Sequence, residues 1–279
     1  MTVILKWYMV KIRRELRIKF RVFVKFFRPA KAGLCGFSRG NPVMEIIMKE
    51  SQGKKITITH NGPYEVSGGV PLDRASIAED KSGASESWKR SRADKPEEDP
   101  YYLCRCGHSH NKPFCDGNHE AKAFRGREKP DRSTYAERAQ VQMGEAVNLL
   151  DDDSLCVGAR FCDRGGTVWG LVEESGNPAN LKMAVEEACN CPAGRLTIVD
   201  SENRMLEPEL PMGISLVEDP AKDCRGPLWV QGGIQIKGAN GETYEVRNRV
   251  TLCRCGETRN GPYCDGSHYD CPTMKGLDK

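Results

Sequence analysis

Apolar and polar positions alternate over several short stretches of the chain, which predicts strands at Ile56–Thr59 and Tyr64–Val66, and again at Leu228–Val230, Ile234–Ile236, Tyr244–Val246 and Val250–Leu252. The Gly-Ala-Asn-Gly run at 238–241 reads as a hairpin turn. Between these β-rich ends the pattern changes. Asn180–Ala188 has the period of an amphipathic helix behind a start at Asn177-Pro178, Ser133–Asp151 has helical character, and Leu196–Val199 reads as a strand. From Asp73 to Pro100, Ser, Lys, Glu and Asp dominate, so an exposed, mobile loop is expected there. Charged, Pro-containing linkers are placed near Arg125–Arg132 and Asn203–Pro211.

The N-terminal segment has a different pattern. As a helix it would align Ile12, Leu16, Phe20, Phe23 and Phe27 on one side, with Arg14, Arg17, Arg21, Lys25 and Arg28 on another, although Leu16–Val22 also alternates as a strand would. Residues 1–43 carry five Lys and six Arg against one Glu, a local +10, so the overall +3 leaves the remaining residues at −7. This basic extension reads as a membrane-surface or targeting tail, as a nucleic-acid arm, or as a non-native stretch upstream of a start at Met44 or Met48. The body is mildly acidic, so no nucleic-acid partner is expected for it. No run reaches the roughly 18 apolar residues of a transmembrane segment.

Self-similarity organises the rest. Cys104–His119 and Cys253–His268 match at ten of sixteen positions, and Gly62–Leu72 matches Gly226–Ile236 ahead of them. The first copy holds about fifteen extra residues between lead and motif. The 279-residue chain has 13 Cys, and six of them lie in these two motifs. Cys104 and Cys106 leave one face of an extended segment, while Cys115 and His119 stack on one helical turn. Three thiolates and an imidazole can then converge on metal, and Cys253, Cys255, Cys264 and His268 repeat the arrangement. A disulfide framework would leave one Cys over in each set. Spacing alone leaves zinc and an iron-sulfur cluster both open.

Cys264-Asp-Gly-Ser-His268, preceded by Cys253-x-Cys255-x2-Thr258-x3-Pro262, resembles the CDGSH iron-sulfur family, which includes mitoNEET-like proteins. The resemblance implies a 2Fe-2S cluster in each copy, with Cys253 and Cys255 on one iron and Cys264 and His268 on the other. Cys104, Cys106, Cys115 and His119 take the same roles in the first copy, where Asn118 departs from the small residue usual before the His. Asp116 and Asp265 are expected to brace the turn. Cys156-Val-Gly-Ala-Arg-Phe-Cys162 with Cys191-Pro192 resembles a divergent single-cluster ferredoxin whose middle Cys is Ala159. That resemblance implies a 3Fe-4S cluster on Cys156, Cys162 and Cys191, or a 4Fe-4S cluster if Cys189 joins; structural thiols are the other reading. Cys35, Cys224 and Cys271 have no assigned role. His60, His108 and His110 are expected to be exposed, the last two near enough to tune the first site.

The expected fold class is α+β, with two small β-rich units, 52–125 and 214–272, related by pseudo-twofold symmetry, and a ferredoxin-like α/β module at 135–205 between them. The β-rich leads should share one β assembly. The chain has no Gly-rich nucleotide fingerprint and no nucleophile elbow. The expected function is therefore electron transfer, cluster storage or transfer, or redox sensing with an unknown redox or cluster-acceptor protein, and not catalysis. A structural zinc protein and an electron-feeding subunit of an oxidoreductase are the alternatives. Unpaired thiols place it in the cytoplasm. His ligands should make both flanking sites acid-labile.

Overall fold

The computed structural model describes residues 53–92, 95–128 and 132–277. The basic segment 1–43 and Cys35 lie outside the described residues. Strands β1 (Lys55–Ile58), β2 (Tyr64–Ser67), β3 (Leu72–Glu79), β4 (Ser85–Arg92) and β5 (Tyr101–Leu103) come from the first copy. Strands β6 (Gln140–Met143), β7 (Asn148–Asp151), β8 (Leu196–Val199) and β9 (Met205–Leu206) belong to the middle. The second copy supplies β10 (Gly213–Asp219), β11 (Cys224–Gln231), β12 (Gln235–Lys237) and β13 (Arg249–Leu252). This mixed content is α+β.

The two copies exchange strands. One sheet runs β12-β1-β2-β5 and the other β13-β11-β10-β3-β4. Strand β12 of the second copy pairs in parallel with β1, Ile56 opposite Ile236, and β3 of the first copy pairs in parallel with β10, Leu72 opposite Ile214. Each lead therefore contributes a strand to both sheets. Their inward residues, among them Ile56, Tyr64, Val66, Leu72, Ile214, Leu228, Val230 and Ile236, nevertheless close a single hydrophobic core.

Three sequence expectations need correction. Much of Asp73–Pro100 is the β3–β4 hairpin, turned at Asp80, whose carboxylate accepts from the Ser82 and Ala84 amides. Alternation does exist on β3, where Leu72, Ala75 and Ile77 are buried, but β4 is an edge strand that turns almost every side chain to water. Ser133–Asp151 is helical for only one turn, Tyr135–Arg138, closed by a Thr134–Glu137 capping box. Buried Tyr135 donates its hydroxyl to the Leu150 and Arg195 carbonyls, and the chain then enters the β6–β7 hairpin. Tyr244–Val246 is not a strand; the Glu245 carboxylate accepts from the Tyr135 amide, so this segment serves as a clasp to the middle module.

The middle module is an antiparallel sheet, β6-β7-β8-β9, with helices α1 (Val168–Glu173) and α2 (Pro178–Asn190) packed on it. The Thr167 hydroxyl and the Asn177 carboxamide cap the two helix starts. Leu149, Val172, Ala184, Ala188, Leu196 and Ile198 form a second core there. Among the described residues no helix is long and apolar enough to cross a membrane.

Candidate metal centres

Each duplicated motif is a small backbone clamp. The Cys104 amide donates to the Pro113 carbonyl and the Cys115 amide to the Tyr102 carbonyl; in the second copy the Cys253 amide bonds Pro262 and the Cys264 amide bonds Thr251. The Cys-x-Cys segment thus continues a strand, turns at Gly107 or Gly256, and returns beside itself with the third Cys. The Ser109 and Thr258 hydroxyls tie the turns to the Phe114 and Tyr263 carbonyls at 2.6 and 2.7 Å. Left-handed Gly117 and Gly266 then start the turns that carry His119 and His268. Asp265 accepts from the Arg259 amide, the Ser267 amide and the Ser267 hydroxyl, and Asp116 accepts from the His110 and Asn118 amides. Both carboxylates are spent on the loop.

The donors come in pairs. Cys104 and Cys106 sulfurs are 3.8 Å apart, and Cys115 Sγ is 3.4 Å from His119 Nδ1. The second copy gives 3.5 Å for Cys253–Cys255 and 3.3 Å for Cys264 Sγ–His268 Nδ1. Within each Cys-x-Cys pair one thiol hydrogen-bonds the other, which lowers Cys104 and Cys253 and raises Cys106 and Cys255. The hydrogen bond thus favours the thiolate on one member of each pair.

The two copies differ in access. Cys115 and His119 are partly exposed, whereas Cys264 and His268 are 1% and 2% exposed. Burial and the nearby Arg254 charge push the His268 ring down to about 4. An unfolded His protonates near 6.5, so the metal-free protein should lose stability as pH falls from about 6.5 to about 4, by up to about 3 kcal/mol. Urea titrations of metal-free wild type and His268→Gln at pH 7 and pH 4.5 measure this; equal pH dependence in the two would refute it.

The repeat also carried a residue that spacing arguments passed over: the Arg between the first two Cys. Arg105 and Arg254 are both buried; Arg105 donates to the Thr59 and Gly126 carbonyls, and Arg254 to the Gly226 and Val217 carbonyls. Cys224 and Cys271 pack with Met274 beside Cys253 and Cys255, and the Cys224 thiol donates to the His268 carbonyl. His60 and His110 are exposed and His108 half-buried. The His110 ring lies 3.0 Å from the Asn118 carboxamide.

In the middle module Cys156, Cys162 and Cys191 line one cavity of about 210 Å³ with Trp169 and Arg195. Burial raises the Cys162 thiol to about 12. Cys189 is not brought to this cavity: it is still on α2, and its thiol lies 3.5 Å from the Leu206 carbonyl on β9. Cys191 has left the helix and adopts an extended conformation, so two residues of separation point the thiols to different places. The cavity adjoins the second motif. Tyr269 donates to the Gly158 carbonyl, and Asn260 to the Ser154 carbonyl at 2.9 Å.

Residues 61–120 and 225–269 match the family model described as iron-binding zinc finger CDGSH type. No curated protein and no solved structure matches the chain. The two matched segments contain both donor quartets and the clamps that form them, so the chain carries two CDGSH-type iron-binding domains in tandem.

Proposed function

We propose that the chain carries a 2Fe-2S cluster in each CDGSH domain and a third, 3Fe-4S or 4Fe-4S, cluster in the middle module, and acts as a carrier of electrons or clusters and not as an enzyme. The observation that carries this is the pairing of donors. A two-iron cluster asks for two ligands per iron, and each quartet is already divided into a Cys/Cys and a Cys/His pair. When bound, the clusters would supply one-electron redox chemistry. The protein's part is to hold thiolates in place, keep the His268 ring neutral, and leave the Cys115/His119 edge open to a redox or cluster-accepting partner. All twelve described cysteines are free thiols, which suits a reducing, cytoplasmic setting.

The order β12-β1-β2-β5 becomes β3-β10-β11-β13 when each strand is replaced by its counterpart in the other copy. With Gly107 against Cys255 and Gly256 against Cys106, this supports a pseudo-twofold axis between the Cys-x-Cys loops. The middle module would be a ferredoxin-like insertion whose ligands are Cys156, Cys162 and Cys191.

Absorption and EPR spectra of the purified full chain, with iron, sulfide and zinc analysis, test the reading. About four iron atoms are expected from the two flanking sites and about three or four from the middle. Replacing Cys156, Cys162 and Cys191 together by Ser should remove only the latter. A colourless zinc protein would overturn the proposal, and unchanged iron in the triple variant would make the middle thiols structural.

A further inference from the structure

The tail that follows each motif crosses onto the other copy, but the two crossings end differently. After the second motif, Thr273 reaches Gly107, and Met274 beside it is fully buried. After the first, the Arg127 carbonyl reaches Gly261, and the space beside it stays open as a cavity of about 170 Å³. Its walls carry four guanidinium groups, Arg105, Arg125, Arg127 and Arg259, with the rings of Tyr64 and Phe124 and the Cys253 and Thr258 side of the second motif, and no Asp or Glu among the described residues.

Arg105 is the telling member. It is 4% exposed, lies 5.6 and 5.7 Å from the Tyr64 and Phe124 ring centres, and donates to two carbonyls, yet has no carboxylate partner among the described residues. A buried cation without an anion is costly, and a guanidinium fork fits the oxygens of a phosphate. The exposed Arg125 and Arg127 form no ion pair with a described residue. Arg259 is held only loosely by Asp265 at 3.8 Å.

We propose that this cavity binds a phosphate group, either free phosphate or a small phosphate monoester. Four cations exceed what one carboxylate can use, whereas a phosphate dianion offers an oxygen to several forks at once. The recess admits a small group and not a protein side. The half-buried Phe124 ring offers a surface to the ester side of a bound monoester.

The inference goes beyond the cluster reading and is tested apart from it. Calorimetric titration of the purified full chain in phosphate-free buffer would use inorganic phosphate in one arm and phenyl phosphate in the other. One saturable site is expected for at least one probe. Arg125→Glu/Arg127→Glu should weaken it at least tenfold, and Arg259→Glu, from the opposite wall, should weaken it too. Raising the salt should also reduce affinity. These arginines are exposed, so the variants should keep wild-type iron content and visible absorption, which would separate loss of the anion site from loss of the metal centres. Tighter binding of phenyl phosphate would identify a monoester, and tighter binding of inorganic phosphate the free ion. If neither probe binds saturably, or the variants bind as wild type does, the cavity is not a phosphate site and Arg105 serves only to offset the thiolates of the second motif.

Discussion

Arg249→Met should destabilise the protein by about 3–5 kcal/mol, seen as a lowered urea midpoint. Arg249 is 1% exposed on β13, and its guanidinium joins two modules. Nε bonds Glu207 at 2.8 Å; Nη1 bonds the carbonyls of Ala188, Cys189 and Cys191 at 2.6, 2.9 and 2.7 Å; and Nη2 bonds Leu196 at 3.1 Å. Three of these carbonyls lie at the end of helix α2, where the Cys191 amide donates to Ala188 and the Gly194 amide to Cys191, and Arg249 supplies a donor to all three. Methionine would fill the volume but take the cation from the Glu207 carboxylate and a charged donor from four carbonyls. Burial alone would raise the Glu207 carboxyl, but the Arg249 charge holds it below its usual value. The wild-type advantage should therefore shrink as pH falls below about 4.5, when Glu207 takes a proton. Arg249→Lys keeps the charge but not the fork, and should lose an intermediate amount. A loss under about 1 kcal/mol for the Met variant would mean that the modules are held elsewhere.

Gly107→Ala should damage both flanking metal sites at once. Gly107 has φ +79°, and a Cβ there would stand 2.5 Å from the Cys255 carbonyl oxygen; Gly256, at φ +85°, meets the Cys106 carbonyl in the same way at 2.8 Å. Left-handed backbone alone costs a non-glycine residue about 1–2 kcal/mol. The collision adds more, because the atom struck is main chain between two ligands and cannot turn away. Gly83→Ala is the control: its φ is +85°, but nothing lies within 4 Å of the added Cβ. Gly83→Ala should lose only the conformational part and keep its iron, whereas Gly107→Ala should lose iron from both quartets. Equal iron content and stability in the two variants would show that the loops are not in tight contact.

The local parts of this molecule were legible in its sequence. Ligand spacing works over sixteen residues, and the Asn177-Pro178 start of α2 is a matter of neighbouring residues. What escaped was non-local. Nothing near Ile56 says that its partner is Ile236, and a polar edge strand such as Ser85–Arg92 looks like a loop because solvent takes both of its faces. Arg249 carries no pattern of its own, since its acceptors are backbone carbonyls on another module. Cys189 and Cys191 are indistinguishable by composition; the end of a helix between them decides which one faces the cavity.

The exchanged strands also set a timetable for the nascent chain. The first sheet has β12 as one of its edges, so β1 can pair with β2 at once but finds its other neighbour only after residue 237 has left the ribosome. At roughly 5–20 residues per second that delay is on the order of 10–40 s. During it the open edge of β1 is a template for whatever extended segment comes near. The Cys104 clamp, although translated early, rests on a sheet that is finished late. The sheet beneath the first quartet is thus complete only once the second copy has been made.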